Sequence, residues 1–583
     1  MNSETDPRPA PDAAPSPAPK ASATVLPLDA QRVRAYVPRT LQQHLVDAPE
    51  RKVWTAEGTA VFVDVSGFTQ LSEQLARKGR EGAEQITDVI SASFEAVLTV
   101  AYQNEGGLTK FGGDALLLWF HDEGHADRGC RAAVLMRQVL DEVGRIDLPG
   151  AKVTLQMSQG VHSGEFHFFA MGSTHIELLP VGPAWSTLVA CEHEAVAGEI
   201  IVSEATAAGL PAEWRGAARG PGFLLQREPP DDPGTLRITD PPPVPPETLV
   251  RCLSPAIRAH VLGGGGLPEH RPVTIAFIRF EGTDALIAER GAAAAAEALQ
   301  RLFSIVDAAI EEQSVAFLAS DVDADGGKLI LTSGAPKVSG NDEERMLLAL
   351  TKIVASDLPI PIRVGVHRGA VFAGDIGPKY RRTYTVMGDA VNLAARLMAK
   401  AEPGKIYATA DVLDRSTTHF ETVRLEPFAV KGKAEPVQAW SVGRAQSSKT
   451  RQVSTQRLPL TGRNVELGAI RKAFTSARSG TGRLIEVVGD SGIGKTRLLE
   501  ALRDAATGLN KQHATCEAYT ASTPYAVWTE LLREYFGFSR EDAESDIVER
   551  LRAEVAKQEP DLGPWFPLIA IPFGVEVEPT PEV

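Results

Sequence analysis

Short apolar runs alternate along most of the chain with longer amphipathic stretches. The runs AVFVDV (60–65) and VTIAFI (273–278) are rich in β-branched residues, which predicts buried strands. The stretch DRGCRAAVLMRQVLDEV (127–143) repeats its apolar residues at helical spacing and predicts a helix. Alternation of strands and helices is typical of α/β or α+β domains. We therefore expect mixed α and β structure for the body of the chain.

Two segments of similar length resemble each other. GVHSG (160–164) matches GVHRG (365–369), and PVGPA (180–184) matches VMGDA (386–390), with nearly the same offset. Chance similarity between glycine-rich turns is the alternative interpretation, but the shared order of the matches favours a true repeat. We predict a duplicated domain whose two halves pair within one chain.

Breaks in composition divide the chain into segments. Proline-rich and polar stretches do not continue a helix or a central strand. The predicted segments are a Pro/Ala-rich tail (1–28), a first repeat (29–238), a Pro-rich linker (239–247), a second repeat (248–443), a polar linker (444–457) and a C-terminal domain (458–583). The tail has no apolar core of the kind that a signal peptide needs.

Charge and cysteine content narrow the functional classes. Against 75 Asp and Glu, the 583 residues carry 60 Lys and Arg, a net charge of −15 that argues against a general nucleic-acid surface. The four cysteines lie far apart, so neither a disulfide framework nor a zinc site is expected. No apolar run has the length of a transmembrane helix. We expect a cytoplasmic protein with no nucleic-acid partner and no membrane span.

Two acids of the first repeat lie next to apolar strands at glycine-containing turns. VFVDVSGFT (61–69) contains Asp64 and Val65, and KFGGDALLLWF (110–120) contains Asp114. Taken singly, such an Asp is more often a turn residue or a helix cap. Taken together, the two carboxylates could meet at one point, and paired carboxylates with phosphate oxygens are typical ligands of Mg²⁺.

These two segments resemble the metal-binding segments of class III nucleotidyl cyclases. The resemblance covers both repeats, roughly residues 34–443, and implies an α+β fold of two ferredoxin-like domains that form an internal pseudo-dimer. It implies that Asp64, Val65 and Asp114 hold two Mg²⁺ or Mn²⁺ ions. One ion would activate the ribose 3′-hydroxyl, and the other would neutralise the β- and γ-phosphates.

A helix of the second repeat resembles the family segment that stabilises the transition state. In TYTVMGDAVNLAARLMAK (383–400), Asn392 and Arg396 are four residues apart and share one helix face. A surface pair without function is the alternative for any single Asn and Arg at this spacing. The resemblance implies that Asn392 orients the ribose and that Arg396 stabilises charge on the α-phosphoryl group.

The resemblance also implies residues that recognise the base. Thr385 falls where the family contacts the purine, and Lys328 in DADGGKLILTSG (323–334) is the candidate for its partner at the adenine ring. Lys with Thr looks like the ATP-reading pair of soluble, bicarbonate-responsive adenylyl cyclases. ATP is therefore the expected substrate.

Each repeat lacks what the other keeps. The positions of Asp64, Asp114, Asn392 and Arg396 are taken in the other repeat by Arg279, Lys328, Ser186 and Ala190, respectively. One complete and one degenerate site are therefore expected. The degenerate pocket contains Lys110, which resembles a bicarbonate-contacting lysine of animal soluble cyclases, whereas Val189 replaces the basic residue expected beside it. We expect weak or absent stimulation by bicarbonate.

The C-terminal domain carries a nucleotide-binding motif. LIEVVGDSGIGKTRLLEAL (484–502) predicts a strand, a glycine-rich loop and a helix, and the loop fits the P-loop pattern. The loop residues are Gly489, Asp490, Ser491, Gly492, Ile493, Gly494, Lys495 and Thr496. Their backbone N–H groups would bind ATP phosphates, with Lys495 at the β- and γ-oxygens and Thr496 at Mg²⁺.

The residues around this motif suggest a signalling ATPase. PLTGRNVELGAIRKAF (459–474) is similar to the first segment of AAA-like ATPases of the STAND type, which often follow paired cyclase domains. No apolar strand ending in two acids follows the P-loop. Either the chain is part of a longer protein, or the start of an α/β P-loop NTPase domain present here binds nucleotide without hydrolysing it.

The sequence as a whole predicts an adenylyl cyclase that converts ATP to 3′,5′-cyclic AMP and pyrophosphate. Its C-terminal module would be regulatory or would recruit protein partners. The alternative is a non-enzymatic signalling scaffold in which degenerate cyclase repeats only respond to nucleotide. The presence of one full set of catalytic residues favours the enzyme.

Overall fold

The computed structural model describes residues 28–68, 71, 75, 80–148, 151–227, 242–416, 418–430, 436–446, 463–488, 498–499, 512, 514, 525–538, 544–573, 575 and 577–583. The chain divides into two compact units, Met1–Gln446 and Ser447–Val583. The predicted P-loop, residues 489–496, lies outside the described residues, as does nearly all of the predicted N-terminal tail.

The first repeat is built around a mixed sheet. Its helices are α1 (Leu28–Tyr36), α2 (Arg39–Asp47), α3 (Arg80–Gln103), α4 (His125–Val143), α5 (Pro183–Glu194) and α6 (Glu204–Ala208). Its strands are β1 (Val53–Ser66), β2 (Gly107–Gly112), β3 (Ala115–Phe120), β4 (Arg145–Leu148), β5 (Ala151–Thr154), β6 (Gln156–Met171), β7 (Glu177–Pro180), β8 (Ile200–Ser203), β9 (Arg215–Arg219) and β10 (Gly222–Leu225). The sheet order is β2-β3-β1-β6-β8-β10-β9, with β7 on β6.

The second repeat has the same topology. Its helices are α7 (Pro246–Arg251), α8 (Pro255–Leu262), α9 (Thr283–Gln313), α10 (Asp342–Ala355), α11 (Asp389–Lys400) and α12 (Ala410–Leu413). Its strands are β11 (Glu269–Glu281), β12 (Ala316–Asp323), β13 (Gly326–Ser333), β14 (Ile362–Ile376), β15 (Thr383–Met387), β16 (Ile406–Ala408), β17 (Phe420–Arg424) and β18 (Trp440–Ala445). The sheet order is β12-β13-β11-β14-β16-β18-β17, with β15 on β14. The mixed α and β composition and the duplication are therefore confirmed as two ferredoxin-like, sheet-rich units.

Strand register shows which residues of the two repeats correspond. Asp64 on β1 pairs with Ala115 on β3, and Arg279 on β11 pairs with Lys328 on β13. Arg279 therefore stands at the position of Asp64, as predicted. Lys328, in contrast, stands at the position of Ala115, so its predicted correspondence with Asp114 is wrong by one residue.

The length of the hairpins explains this difference. In the first repeat, β2 and β3 end at the pair Gly112 and Ala115, which leaves a two-residue turn. In the second repeat, β12 and β13 continue by two further pairs and end at Asp323 and Gly326. Each hairpin contains a Gly-Gly pair, but the two pairs occupy different places, so aligning them in sequence shifts the register.

Close packing between strand and helix fixes the correspondence of helices α5 and α11. A Cβ on Gly160 would lie 2.6 Å from the backbone nitrogen of Glu192, and one on Gly365 would lie 2.1 Å from that of Met398. Both glycines are needed because the helix backbone occupies the space of a side chain. This register gives the pairs predicted from the sequence, Ser186 with Asn392 and Ala190 with Arg396.

Three large hydrophobic clusters fill the first unit, and each includes residues of both repeats. The cluster under the first sheet includes Phe372 and Met387 of the second repeat. The cluster under the second sheet includes Phe169 and Leu179 of the first repeat, and the third cluster lies between the sheets. Full burial of one large apolar side chain contributes roughly 1.5–3 kcal/mol. The two repeats therefore stabilise each other through shared cores.

The segment between the repeats is packed where it is described. Helix α7 begins at Pro246, where a proline is tolerated because the first helical N–H has no partner inside the helix. Val244 is buried, and Arg34 Nη1 donates a 2.6 Å hydrogen bond to the carbonyl of Pro242. This part of the predicted linker 239–247 is therefore tied to the first repeat.

The second unit is described as helices α13 (Asn464–Arg478), α14 (Ala526–Phe536), α15 (Glu544–Gln558) and α16 (Phe566–Ala570). The strand predicted at 484–488 is absent: Leu484 is 99% and Val488 82% exposed. A strand requires a neighbouring strand as its hydrogen-bond partner, and the described part of this unit contains no strand that could serve as one. Among the helices that the structure describes, none is long and apolar enough to cross a membrane.

Candidate active site

A cavity of about 460 Å³ opens between the two repeats of the first unit. The polar residues and glycines that line it include Asp64, Gly112, Gly113, Asp114, Ser158, Glu192, Asp321, Lys328, Thr383, Thr385, Gly388 and Asn392. Its volume falls in the range of small-molecule sites. The structure thus brings together five of the residues predicted from the sequence, from both repeats. Arg396 and Lys110 do not line this cavity.

Local strand geometry places Asp64 and Asp114 side by side. Asp64 follows six buried residues of β1 and is itself half-buried. Gly113 takes a φ of +74°, which closes the tight turn after β2 and sets Asp114 at its tip. The N–H of Val65 donates a 3.2 Å hydrogen bond to the carbonyl of Asp114. The side chain of Val65 is a buried hydrocarbon and does not line the cavity, so only the carbonyl oxygen of this residue could serve as a metal ligand.

The cavity concentrates negative charge. Burial, reinforced by the charges of Asp64, Asp321 and Glu192, raises the pKa of Asp114 to about 7. Burial and the charge of Asp64 likewise raise the pKa of Glu192 to about 7, although Ser158 donates a 2.9 Å hydrogen bond to it. Both pKa values rise because each carboxylate charge disfavours the ionisation of its neighbours.

This donor set fits a divalent metal ion. Mg²⁺ and Mn²⁺ prefer oxygen ligands, and Asp64, Asp114 and the carbonyl of Val65 offer only oxygen. Among the residues described here, no three His, Cys, Asp or Glu side chains are arranged to hold a metal by themselves. Phosphate oxygens of a bound nucleotide, together with water, would complete the coordination shell.

The opposite wall belongs to the second repeat. Thr385 on β15 is 7% exposed, and its hydroxyl makes only a long 3.5 Å contact with the carbonyl of Val386. Lys328 Nζ lies 3.4 Å from Asp323 Oδ2, and its side chain is 24% exposed. This wall therefore offers one hydroxyl and one partly paired cation to a ligand.

Helix α11 brings Asn392 to the cavity. Gly388 precedes the helix with a φ of +142°, a conformation that favours glycine. Asn392 lines the cavity one turn into the helix, whereas Arg396, one turn further, is half-buried outside the lining. The structure therefore places the predicted ribose contact at the site and the predicted transition-state arginine next to it.

In the second repeat, the place that corresponds to Asp64 and its surroundings carries two cations paired with a carboxylate. Arg279 Nε lies 3.3 Å from Asp323 Oδ2, the same carboxylate that Lys328 approaches. The turn after β12 is closed against the first repeat, because the N–H of Asp325 donates a 2.7 Å hydrogen bond to Ser186 Oγ. Arg279 thus stands where the first repeat has Asp64, and Lys328 approaches the same carboxylate as Arg279, so a metal ion is not expected there.

Lys110 lies in a different and smaller cavity, of about 80 Å³, between the repeats. Its Nζ contacts Glu177 and donates a 2.7 Å hydrogen bond to Ser320 Oγ. Val189 does not lie beside it as predicted but lines the large cavity, because α5 presents that residue toward Asp64. The basic partner missing from the sequence pattern is thus replaced by a carboxylate that neutralises Lys110.

Several residues of the site were not singled out in the sequence. Glu192 stands where the second repeat has Met398. An acid at a helix position that is apolar in the other repeat is the sequence signal that could have identified it. Asp321 belongs to an acidic run within an otherwise apolar strand. Its carboxylate lies about 3.1 Å from where a Cβ on Gly112 would be, a contact that no sequence pattern predicts.

Residues 267–443 match the family model for the adenylate and guanylate cyclase catalytic domain. The second repeat is thus similar to an adenylate and guanylate cyclase catalytic domain. Residues 459–569 match a second family model, the AAA ATPase domain, which follows the first match along the chain. The first match includes Lys328, Thr385 and Asn392.

The relatives that the chain matches share only part of their length with it. An uncharacterized protein of Mycobacterium tuberculosis is 33% identical over 162 residues, which are 27% of this chain and 28% of that protein. Adenylate cyclase type 10 of Homo sapiens is 23% identical over 400 residues, 59% of this chain and 24% of that protein. A solved class III adenylyl cyclase-like ATP-binding protein from Pseudomonas aeruginosa is 12% identical, with a TM-score of 0.46 over 67% of this chain and 92% of its own.

Proposed function

We propose that this protein is an adenylyl cyclase that converts ATP to 3′,5′-cyclic AMP and pyrophosphate at the cavity between the repeats. The observation that carries the proposal is the composition of this cavity. One repeat supplies Asp64 and Asp114, the other supplies Thr385 and Asn392, and all four line the same space. The match of 267–443 to a cyclase catalytic domain supports this assignment.

In the proposed mechanism, the protein holds the triphosphate and the ribose in line for ring closure. Asp64, Asp114 and the carbonyl of Val65 would hold two Mg²⁺ or Mn²⁺ ions, which activate the 3′-hydroxyl and neutralise phosphate charge when bound. The Asn392 amide would orient the ribose. Arg396 would turn toward the cavity and donate hydrogen bonds to the α-phosphoryl oxygens as charge develops there.

Product analysis tests the proposal directly. The purified chain would be incubated with Mn²⁺ and ATP, and the products identified by mass spectrometry. Cyclic AMP and pyrophosphate in equal amounts are expected. Nucleotide binding without any cyclic product would instead support the alternative, a non-enzymatic scaffold. One observation favours this alternative: Arg396 does not line the cavity.

We expect ATP to be preferred over GTP by at least about tenfold in kcat/KM, or about 1.4 kcal/mol. Lys328 would donate to an adenine ring nitrogen and Thr385 would accept from the amino group. GTP presents the reverse pattern, which would leave buried polar groups unpaired. The ratio is measured with both nucleotides in competition. Equal turnover of the two would contradict the assignment of these residues.

We expect at most a weak response to bicarbonate at constant pH. Glu177 already neutralises Lys110, so an added anion would have to displace a buried carboxylate. Cyclic AMP formation would be measured with bicarbonate and with matched chloride. A several-fold rise that disappears in Lys110→Ala would show that this expectation is wrong.

For the second unit we propose nucleotide binding at residues 489–496. The motif and the match of 459–569 to an AAA ATPase domain support it. In this proposal ATP binds at the loop through Lys495 and Thr496, and the module regulates the cyclase or recruits protein partners.

A further inference from the structure

Glu177, the first residue of β7, is a buried carboxylate that joins the two repeats. It contacts Lys110 of the first repeat. It also accepts hydrogen bonds from Ser320 of the second repeat, at 3.2 Å from the backbone N–H and 2.6 Å from the hydroxyl. The side chains of Lys110 and Glu177 are only 9% and 14% exposed. A single carboxylate therefore binds an edge strand of each sheet.

The surroundings keep this carboxylate ionised. Burial alone would raise its pKa, but Lys110, His175 and the Ser320 hydroxyl together hold the pKa of Glu177 below its usual value. Removing one partner of a buried ion pair leaves an uncompensated charge, which is strongly destabilising. A change at either residue of this pair should therefore have a larger effect than a change in a surface ion pair.

The two strands that Glu177 joins are the two that carry opposite sides of the candidate site. Lys110 lies on β2, four residues before Asp114 and two before the turn at Gly112. Ser320 lies on β12 directly before Asp321. The carboxylate of Asp321 packs against Gly112, about 3.1 Å from where a Cβ on that glycine would be. The ion pair therefore sits behind the turn that presents Asp114.

The segment that leads into β7 is itself fixed to the second repeat. The N–H groups of Ser173 and Thr174 donate hydrogen bonds of 2.9 and 3.2 Å to Asp307 of α9. Gln300 of the same helix donates to the carbonyl of Gly172. Glu177 therefore projects from a segment with little freedom to follow a movement of β2.

We propose that Glu177 is a positioning residue for this site, and that its charge, acting through Lys110, sets the position of the Asp114 turn relative to Asp321. The inference rests on the proposed function for its kinetic consequence. A cavity of about 80 Å³ adjoins the pair. Truncation of Glu177 would enlarge this space next to the lysine ammonium, so a small carboxylate from solution could replace the missing one.

The first test compares Glu177→Gln, Lys110→Met and the double variant. Glu177→Gln keeps the size of the side chain and removes its charge. We expect each single variant to lower kcat by about tenfold and to raise the Mn²⁺ concentration for half-maximal rate, with the KM for nucleotide changed less. The double variant should be no worse than the worse single one, because the pair acts as a unit.

Ser186→Ala is the matched control. It removes another hydrogen bond between the repeats, the one that the N–H of Asp325 donates to Ser186, and Ser186 lines neither cavity. We expect a lower melting temperature, with kcat per folded molecule within about twofold of wild type. An equal change in Mn²⁺ dependence in Ser186→Ala and Glu177→Gln would show that Glu177 acts only through stability and would overturn the proposal.

Chemical rescue tests the role of the charge. We expect formate to restore activity in Glu177→Ala, but not in Glu177→Gln, where the amide fills the space. Sodium chloride at the same ionic strength is the comparison, and equal effects of the two salts would overturn the proposal. If Glu177→Ala does not fold, Glu177→Gln with wild-type kcat and Mn²⁺ dependence would overturn it equally.

Two measurements do not depend on turnover. Hydrogen exchange in peptides covering 107–120 should be faster in Glu177→Gln than in wild type, and Mn²⁺ affinity measured by electron paramagnetic resonance should be lower. A wild-type chain that forms no cyclic nucleotide would refute the proposed function alone. Unchanged exchange and Mn²⁺ affinity would refute the role of Glu177 alone.

Discussion

Asp114→Asn should lower the rate of cyclic nucleotide formation by about a thousandfold or more. Metal-bound charge stabilisation contributes several kcal/mol to such reactions, and about 1.4 kcal/mol corresponds to a tenfold change in rate. The Asn side chain keeps the shape of Asp114 but offers one neutral oxygen. The rate would be measured by mass spectrometry of the product at saturating Mn²⁺ and ATP. Activity within tenfold of wild type would contradict a metal role for Asp114.

The same variant should be more stable than wild type at pH 8 without divalent ions. Burial and nearby acids raise the pKa of Asp114 from 3.8 to about 7. Between these values the unfolded chain releases a proton that the folded protein keeps, so the free energy of unfolding of wild type falls as pH rises. Asn cannot ionise and avoids this loss, on the order of 4 kcal/mol. Urea unfolding at pH 8 and pH 4 measures the difference, which should vanish at the lower pH.

Equal stability of wild type and Asp114→Asn at pH 8 would indicate that burial and the neighbouring acids do not oppose the ionisation of Asp114. Ser66→Ala is a suitable control, because Ser66 ends the same strand as Asp64 but is exposed. Ser66→Ala should change the rate by no more than about twofold and the free energy of unfolding by no more than about 0.5 kcal/mol.

Mixing full-length Asp64→Ala and Asn392→Ala chains should not restore activity. Each variant should be inactive alone, since one lacks a metal ligand and the other a ribose contact. Restoration would require the first repeat of one chain to pair with the second repeat of another. The shared clusters oppose this, because residues such as Phe372 and Phe169 are buried in the core of the other repeat. Product formation after prolonged incubation of the mixture measures any exchange.

Separated repeats provide the complementary experiment. Residues 30–238 keep Asp64 and Asp114, and residues 248–443 keep Asn392 and Arg396, so each alone should be inactive. Co-expression should recover part of the activity, because the two cores can then form together. Recovery in the mixed full-length variants would show sites formed between chains, and activity of residues 30–238 alone would refute a site shared by the repeats.

The neighbourhood of Asp64 and Asp114 could be predicted from sequence because it depends on short-range rules. An apolar strand that ends in an acid and a glycine turn that ends in an acid both leave the carboxylate at a sheet edge. The pairing of Asp64 with Ala115 then needs only two neighbouring strands. The duplicated topology could likewise be predicted, because matching segments keep their order along the chain.

Contacts that cross between the repeats could not be predicted in this way. The register of Lys328 depends on how far β12 and β13 remain paired, which no single residue specifies. Glu177 is unremarkable in sequence, and its function as an anchor arises only when Lys110 and Ser320 meet it from two sheets. The role of Arg396 was predicted from the resemblance of 383–400 to a family segment, but such a resemblance does not determine which side chain reaches a cavity.

The cores shared by the repeats also have a genetic consequence. When identical chains pair to form two equal sites, a mutation of one catalytic residue enters both sites at once. Here Phe372 and Phe169 hold two different halves together in every molecule. A loss in one half is therefore harmless as long as the other half supplies the missing group. Duplication followed by such losses would leave each half dependent on the other, so neither half could carry the proposed activity by itself.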